Sequence, residues 1–337
     1  MGGHRPGGWK AGFAVKVLVT GGTSMIGRAV IDLLVTRGDE VTSLQRGDAQ
    51  IDGRVVRGSI TDDTVVADAV DGQDAVIHLA AKVGVTGAWD DYEATNVGGT
   101  RALLDAARTA GVSRFVYISS PSVAHTGTSI VGDAATPATP DAATSHYSKS
   151  KAMAEVVALE ASSAEMPVVA IRPHLVIGPG DTQLIERIVD RARSGRLPLI
   201  GSGLALVDVT WIDNAAGALV AAVDRATDLG GLAFVVTNDE PRTVHELFAR
   251  ITAAAGVDWS PRHVPAGVAI AGGGVAERVW ERTGRTDDPP MTAFGAEQLS
   301  TAHWFDQRAT HEALGWKPSV SLDEGWAQLT DWFRSQS

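Results

Sequence analysis

The chain has 337 residues, of which 44 % are apolar and 20 % charged, and it contains no cysteine. The missing cysteines exclude a disulfide framework, thiolate metal sites and a cysteine nucleophile. The formal net charge of −11, from 40 acidic and 29 basic residues, argues against a nucleic-acid partner, because a protein that binds the phosphate backbone carries a basic surface.

The amino-terminal residues 1–13 are rich in glycine and lack the apolar core of a signal peptide. We therefore expect a flexible tail on a cytoplasmic protein. No apolar run approaches the roughly 20 residues that a membrane-spanning helix needs, so integral membrane association is not expected.

The first half of the chain alternates short apolar runs with segments of helical spacing. The predicted strands cover residues 15–19, 41–44, 55–57, 74–81, 114–119 and 168–172. The predicted helices between them cover residues 27–37, 63–70, 98–110 and 149–161. This alternation predicts an α/β fold with a parallel, doubly wound sheet of the Rossmann type.

The pattern loosens after Pro173. We predict helices at 183–194, 244–255, 311–315 and 322–333, strands at 205–211 and 232–236, and no clear period over 261–290. The domain prediction has three parts. They are a tail at 1–13, an NAD(P)-binding Rossmann domain at 14–177 with a strand and helix returning near 205–237, and a smaller C-terminal substrate-binding domain formed by 178–204 and 238–333.

A glycine-rich turn joins the first predicted strand to the first predicted helix. Residues 20–27 read TGGTSMIG, in which Gly21 and Gly27 match the first and last glycines of G-x-x-G-x-x-G and Ser24 stands at the middle glycine. The first glycine permits a tight turn, the middle position lets the backbone approach a pyrophosphate, and the last lets the helix pack against the strand. Because a strand precedes the turn and a helix follows it, we predict a dinucleotide site and not an ordinary loop.

The end of the second predicted strand bears on the adenosine ribose of such a dinucleotide. An acidic side chain there binds the 2′-hydroxyl and repels a 2′-phosphate, whereas this chain has Gln45 and Arg46. Arginine binds phosphate through charge-assisted hydrogen bonds. We therefore expect NADP, with NAD as the alternative if Arg46 stacks on the adenine or faces water.

Tyr147, one of only three tyrosines, begins a Y-x-x-x-K pattern that ends at Lys151. Residues four apart share one face of a helix, so the two side chains should be neighbours. We expect the ammonium to lower the pKa of the tyrosine from about 10 and so prepare it for general acid–base catalysis. A surface helix that carries a lysine is the other interpretation of this pattern.

Three serines follow the fifth predicted strand, at Ser119, Ser120 and Ser122. Ligands bind at the carboxyl ends of parallel strands. We therefore expect one of these hydroxyls, Ser120, to hold a substrate oxygen, the alternative for each being a loop serine bonded to backbone.

Taken together, the motifs resemble those of the extended short-chain dehydrogenase/reductases, the family of NAD-dependent epimerase/dehydratases and 3β-hydroxysteroid dehydrogenases. They occur in the family's order as TGGTSMIG, VIHLAA, NVGGT, YISSPSV, YSKSK and RPHLVIGPGD. Ser24 departs from the family's usual glycine. The resemblance implies a nicotinamide cofactor and a catalytic Ser120, Tyr147 and Lys151, with Val123 supporting the choice of serine. Asn96 matches a family asparagine with a structural or water-positioning role.

The resemblance also implies a mechanism, namely hydride transfer with Tyr147 exchanging a proton with the substrate oxygen, Ser120 bonding the same oxygen and Lys151 holding the nicotinamide ribose. The predicted cofactor-binding residues are Gly21, Thr23, Ser24, Met25, Ile26, Gly27, Gln45, Arg46, Ser59, Ile60, Leu79, Ala80, Ala81, Tyr147, Lys151, Pro173 and His174. Acids and histidines show no spacing typical of metal ligands, so no metal is expected.

Departures from the sugar-modifying members narrow the expected substrate. Val207 stands where many of them carry an arginine that clamps the sugar diphosphate, and Pro121 and Ser122 replace the Asp-Glu pair of the dehydratases. The segments RPHLVIGPGDTQLI and LVDVTWIDN are similar to those of 3β-hydroxysteroid and sterol-4α-carboxylate dehydrogenases and of bacterial 2-alkyl-3-oxoalkanoate reductases.

The resemblance therefore implies an enzyme that interconverts a secondary alcohol and a ketone on a hydrophobic small molecule, as a homodimer. Two alternatives remain open from the sequence. One is a nucleotide-sugar epimerase with tightly bound NAD, and the other is a regulator that binds nucleotide without catalysis.

Overall fold

A computed structural model describes residues 14–48, 50–84, 87–125, 127–143, 145–283, 285, 289 and 291–336. The tail predicted at 1–13 lies outside these residues. The strands are β1 (Lys16–Thr20), β2 (Glu40–Gln45), β3 (Arg54–Arg57), β4 (Ala75–His78), β5 (Arg114–Ile118), β6 (Ile130–Asp133), β7 (Val168–Pro173), β8 (Val176–Ile177), β9 (Leu199–Ile200), β10 (Leu206–Val207), β11 (Thr210–Trp211), β12 (Ala233–Val236), β13 (Arg242–Thr243), β14 (His263–Val264) and β15 (His303–Phe305).

The α-helices follow the strands in the alternation that the sequence predicts. They are α1 (Met25–Thr36), α2 (Asp63–Val70), α3 (Trp89–Tyr92), α4 (Gly99–Thr109), α5 (His146–Glu160), α6 (Ile185–Arg193), α7 (Ile212–Leu229), α8 (Val244–Ala254), α9 (Ala266–Thr283), α10 (Ala293–Gln298), α11 (Arg308–Leu314) and α12 (Leu322–Ser335). A π-helical segment, Glu93–Gly98, joins α3 to α4.

Seven parallel strands form the central sheet in the order β12-β7-β5-β4-β1-β2-β3. The order reverses between β1 and β4, which is the position where doubly wound sheets bind nucleotides. One face packs against α1 and α7, and the other packs against α2, α4 and α5. The predicted fold class is therefore confirmed, and the predicted returning strand and helix are β12 and α7.

The remaining elements cover the carboxyl edge of this sheet. Their core joins α6, α8 and α12 around Trp211, which is fully buried. A small sheet in the order β13-β10-β15-β6 lies beside them. The division into a dinucleotide-binding domain and a substrate-binding domain stays a prediction.

Two predictions about local structure were wrong. The strand predicted at 205–211 is divided into β10, which pairs with β13 and β15, and β11, which pairs with β8. Between the two, the buried Asp208 accepts a hydrogen bond from the backbone N–H of Phe305 (2.9 Å), a contact that no local pattern predicts.

The second wrong prediction concerns residues 261–290. Their sequence shows no clear period, yet they contain the 18-residue helix α9. Glycines make a helix unfavourable in isolation. A glycine is nevertheless needed at position 273, because a Cβ there would lie 2.4 Å from the backbone carbon of Thr292. Close packing against α10 therefore stabilises α9.

Candidate active site

The phosphate turn has the tight geometry that its sequence predicts. Gly21 has a φ of +74°, and a Cβ there would lie 3.0 Å from the backbone nitrogen of Ala80. A Cβ on Gly27 would lie 2.4 Å from the carbonyl oxygen of Gly21. Ser24, the departure from the glycine pattern, is the N-cap of α1, because its Oγ accepts from Gly27 N (3.0 Å) and donates to Gly21 O (2.9 Å). Its hydroxyl thus stabilises the amino end of α1, at which a phosphate would bind.

A cavity of ≈ 1170 Å³ extends from this turn across the carboxyl ends of the strands. The predicted cofactor residues that line it are Thr23, Ser24, Met25, Ile26, Leu79, Ala81, Tyr147, Lys151 and Pro173. Gly21 and Gly27 belong to the turn itself, and Ala80, which follows β4, packs closely against Gly21. The residues present therefore fit a dinucleotide whose pyrophosphate lies at the amino end of α1.

The predicted residues at the ends of β2 and β3 have different surroundings. Gln45 is buried, where it accepts a hydrogen bond from Ser43 Oγ (2.8 Å) and donates one to Gly47 O (3.2 Å). Arg46 is exposed. Arg46 is therefore accessible to solvent and Gln45 is not, and neither lines the large cavity.

Ser59 and Ile60, which follow β3, were also predicted to bind cofactor. Ser59 Oγ lies 2.8 Å from Thr61 Oγ1. Ile60 is buried against α4, where a Cβ on Gly99 would approach its side chain to 2.8 Å. Neither lines the large cavity, and the side chain of Ile60 serves to pack α4 on the sheet.

Ser120 and Tyr147 come from distant segments, the turn after β5 and the start of α5, which pack against each other. Ser120 begins a 3₁₀ turn at Pro121–Ala124, and its Oγ accepts a hydrogen bond from Ser122 Oγ (3.0 Å). Tyr147 lies in the first turn of α5, which begins three residues earlier than predicted because Ser145 and Ser148 form a capping box. Both residues line the large cavity and also a second, smaller one.

The environment of Lys151 differs from the prediction. Its side chain is 2 % exposed, and its Nζ donates to the carbonyl oxygen of Ile118 (2.5 Å) and lies 4.2 Å from the centre of the Tyr117 ring. Burial lowers its pKa to about 7, against an opposing effect of Glu155. The amine of Lys151 is thus held by the carbonyl of Ile118 at the end of β5, and only part of it carries a proton at neutral pH.

The expected lowering of the tyrosine pKa is not found. Burial, and then the neighbouring Tyr92, raise the pKa of Tyr147 to about 12. The prediction failed because spacing on a helix does not reveal how far a side chain is removed from water, and removal from water disfavours the phenolate.

Asn96 links the segment after β4 to α5. Its Oδ1 accepts from Lys82 N (2.6 Å), and its Nδ2 donates to Lys82 O (3.0 Å) and to Ser150 Oγ (2.9 Å). Ser150 Oγ in turn donates to the carbonyl oxygen of Tyr147 (2.9 Å). Because both ends of the amide are engaged with this chain, the structural role predicted for Asn96 is the one that its contacts support.

A buried ion pair, which the sequence analysis missed, fixes α5 on β7. The carboxylate of Glu155 and the guanidinium of Arg172 form a bidentate pair, and each side chain is 1 % exposed. Arg172 also donates to Thr136 O (2.7 Å). Arg172 begins the motif RPHLVIGPGD and Glu155 lies four residues after YSKSK, but no spacing rule joins residues from separate segments.

The smaller cavity has a volume of ≈ 420 Å³ and lies between α6, α8, α10 and the turn that contains Ser120. Much of its lining is aliphatic, as at Ile188, Leu247 and Ile251. His174, predicted to bind cofactor, lines this cavity and not the larger one. The site thus consists of a nucleotide-sized cavity and an apolar cavity that share a serine and a tyrosine.

Comparison with known proteins supports this arrangement. Residues 17–236 match the model of the NAD dependent epimerase/dehydratase family. A 2-alkyl-3-oxoalkanoate reductase from Stenotrophomonas maltophilia is 38 % identical over 324 residues, which are 94 % of this chain and 98 % of that protein. A 3 beta-hydroxysteroid dehydrogenase/Delta 5-->4-isomerase from Mycobacterium tuberculosis is 30 % identical over 95 % of this chain and 90 % of its own.

Solved structures share the fold over nearly the whole chain. MoeE5 in complex with UDP-glucose and NAD superposes with a TM-score of 0.74 at 24 % identity, covering 95 % of this chain and 99 % of that one. Among the residues that the structure describes, no helix is long and apolar enough to span a membrane. Within the same residues, no group of three or more metal-ligating side chains is arranged to hold a metal ion.

Proposed function

The chain belongs to the NAD dependent epimerase/dehydratase family, within the extended short-chain dehydrogenase/reductases, and from this we propose that it interconverts a secondary alcohol and a ketone on a hydrophobic substrate. The observation that carries the proposal is the position of Ser120 and Tyr147, which line both the nucleotide-sized cavity and the apolar cavity. An oxygen held between these two hydroxyls would face the nucleotide-sized cavity on one side and the apolar side chains of the smaller cavity on the other.

The residues of the site have separate tasks in this mechanism. Ser120 Oγ and the phenol of Tyr147 hold the reacting oxygen by hydrogen bonds. In ketone reduction the phenol proton moves to that oxygen, and in alcohol oxidation the phenolate takes the proton back. A bound nicotinamide supplies the hydride for reduction and accepts it in oxidation. Lys151, with a pKa of about 7, holds a proton that can restore the phenol.

We propose NADP as the preferred cofactor. The amino end of α1 and the turn at Gly21 would hold the pyrophosphate, and the exposed Arg46 would pair with the 2′-phosphate. Gln45 ends β2 and Arg46 follows it, and neither residue is acidic. An Arg46→Ala variant is expected to lose its preference for NADPH over NADH in steady-state kinetics, and equal or better activity of the wild type with NADH contradicts the assignment.

The apolar lining of the smaller cavity supports a lipophilic substrate of the 3-oxoacyl or 3β-hydroxysteroid kind. This agrees with the names of the two relatives described above. We also propose that residues 14–177 with 205–237 bind the dinucleotide and that residues 178–204 and 238–333 form the wall of the substrate site. The enzyme is further proposed to be a homodimer, which light scattering would test.

The deciding experiment measures oxidation of NADPH and NADH with steroid ketones, 3-oxoacyl compounds and UDP-sugars. We expect turnover of a lipophilic ketone and none of the sugars. Tyr147→Phe should lower turnover by about 10²- to 10⁴-fold, the usual contribution of a general acid, while NADPH binding persists. Epimerisation of a UDP-sugar by protein that purifies with NAD, or turnover that survives in Tyr147→Phe, contradicts the proposal.

A further inference from the structure

Three histidines form one wall of the apolar cavity. His125 follows the 3₁₀ turn that begins at Ser120, His174 follows β7, and His303 belongs to β15. The ring of His303 lies 5.1 Å from that of His125 and 6.2 Å from that of His174, measured between centroids. All three line the cavity and are 6 %, 7 % and 2 % exposed, in chain order. We call them the histidine wall.

Two nitrogens of the histidine wall are unpartnered. Within the described residues, His125 Nδ1 and His174 Nε2 are buried and make no hydrogen bond. Two other ring nitrogens of the wall have polar neighbours, since His303 Nε2 lies 2.7 Å from Thr301 Oγ1 and His125 Nε2 lies 3.1 Å from Gln298 Nε2. Buried polar atoms without partners are costly and rare in proteins. Two of them in the wall of a substrate-sized cavity point to a group that the substrate brings.

The charge of the wall restricts what that group is. Burial lowers the pKa of His174 to about 3 and that of His303 to about 4, and it also lowers the pKa of His125. Glu297 Oε1 lies 3.7 Å from His125 Nε2. The three rings are therefore neutral near pH 7, and each presents one N–H donor and one acceptor nitrogen. Such a wall suits an uncharged oxygen, or a carboxylate that binds together with a proton.

The wall is close to the reacting atoms. His125 follows Ser120 by five residues across a 3₁₀ turn, which rises about 2 Å per residue, so the two lie on the order of 10 Å apart or less. Ser120 and the histidine wall line the same cavity, so one substrate can contact both. Elsewhere the lining is largely aliphatic, as at Ile188, Leu247 and Ile251, and it also includes the charged side chains of Arg187 and Arg191 on α6.

We propose that the histidine wall binds a second oxygen function of the substrate, separate from the alcohol or ketone that reacts between Ser120 and Tyr147. The enzyme then selects oxygenated ketones, such as 3-oxo acids or their esters, over plain lipophilic ketones. This inference rests on the proposed function and names the substrate class of that site. The discriminating atoms are nitrogens of His125 and His174.

The test compares three substrates of equal chain length, namely a straight-chain methyl ketone, the methyl ester of the 3-oxo acid, and the acid anion. His174→Phe removes the unpartnered nitrogen and keeps a planar ring. We expect the ratio of kcat/KM for the ester or the acid to that for the methyl ketone to fall about tenfold, the effect of one lost hydrogen bond, mainly through KM. The ester and acid arms distinguish an uncharged oxygen from a carboxylate.

Two matched variants separate recognition from packing. His174→Gln keeps hydrogen-bonding atoms and should retain most of the ratio. His311→Phe is the control. In the part of the chain that the structure describes, His311 Nε2 is also buried without a hydrogen bond, but the ring packs against Trp316 and lines neither cavity. It should leave the ratio unchanged. A ratio that His174→Phe leaves intact, or that His311→Phe lowers equally, overturns the inference.

Wild-type protein gives a second measurement if His174→Phe does not fold. With NADP bound, the imidazole nitrogen signals in ¹⁵N NMR should shift on addition of the ester and not of the methyl ketone, and identical responses to both overturn the inference. Failure of the two proposals looks different. No turnover of these three substrates or of the steroid ketones with either cofactor refutes the proposed function. Turnover of the steroid ketones alone, or turnover of the three substrates without preference, refutes the histidine wall alone.

Discussion

The burial of Tyr147 predicts how each reaction direction depends on pH. Its pKa is raised to about 12, whereas an unperturbed tyrosine has a pKa of about 10. At pH 7 about one tyrosine in 10⁵ is therefore a phenolate, a hundredfold fewer than about one in 10³ for the unperturbed group. Ketone reduction uses the phenol, the form in which nearly all of the Tyr147 side chain is present at pH 7. Alcohol oxidation uses the phenolate as base and is limited by this fraction.

The assay follows kcat/KM in both directions between about pH 8 and pH 10. This range lies above the pKa of Lys151, which is about 7, so the lysine contributes little further change. We expect alcohol oxidation to rise about tenfold per pH unit without a plateau, because each unit below the pKa costs a factor of ten in phenolate. Ketone reduction should stay nearly constant, and Tyr147→Phe supplies the baseline.

A plateau in alcohol oxidation below about pH 9 refutes this reasoning. It means that the tyrosine of the working enzyme ionises more easily than its ordinary pKa of about 10 allows. The effect of the Lys151 ammonium then exceeds the effect of burial, as the spacing of the two residues in the sequence suggested.

Three further predictions concern stability and cofactor binding. Burial lowers the pKa of Lys151 to about 7 from about 10.4 in an unfolded chain. Between these pH values the unfolded state binds more protons, so the free energy of unfolding should rise with pH by up to about 1.4 kcal/mol per unit. Urea unfolding should show that Lys151→Met loses this rise, and an equal rise in both proteins contradicts the prediction. Glu155→Ala leaves the buried guanidinium of Arg172 unpaired and should cost about 3–5 kcal/mol in the same assay, so a loss below about 1 kcal/mol argues against the pair. Gly27→Ala places a Cβ 2.4 Å from a carbonyl oxygen of the phosphate turn and should weaken NADPH binding at least about tenfold in a fluorescence titration; Gly267→Ala, where a Cβ meets open space, is the control.

Much of the fold follows from local pattern. Strands such as β1, an apolar run buried on nearly all its residues, are recognisable because a parallel sheet covered on both faces needs continuous apolar segments. The helix predicted at 63–70 coincides with α2, whose N-cap Asp62 accepts from the N–H groups of Thr64 and Val65. Caps and periodicity act within a few residues, so one sequence reveals them.

Elements that depend on partners far along the chain were predicted less well. The strand predicted at 205–211 divides because β10 and β11 pair in different sheets. The helix α9 forms where it packs on α10, although its glycines disfavour it. In both cases tertiary contacts outweigh the local preference of the segment.

The same division holds for the site. The sequence by itself determined the phosphate turn, Ser120, Tyr147 and Lys151 as candidates, because motif spacing is local and the carboxyl ends of parallel strands lie together. Only the tertiary structure decided the direction in which burial shifts the pKa of Tyr147 and the gathering of the histidine wall. Burial and long-range contact depend on where the whole chain excludes water, and no short window of sequence contains that information.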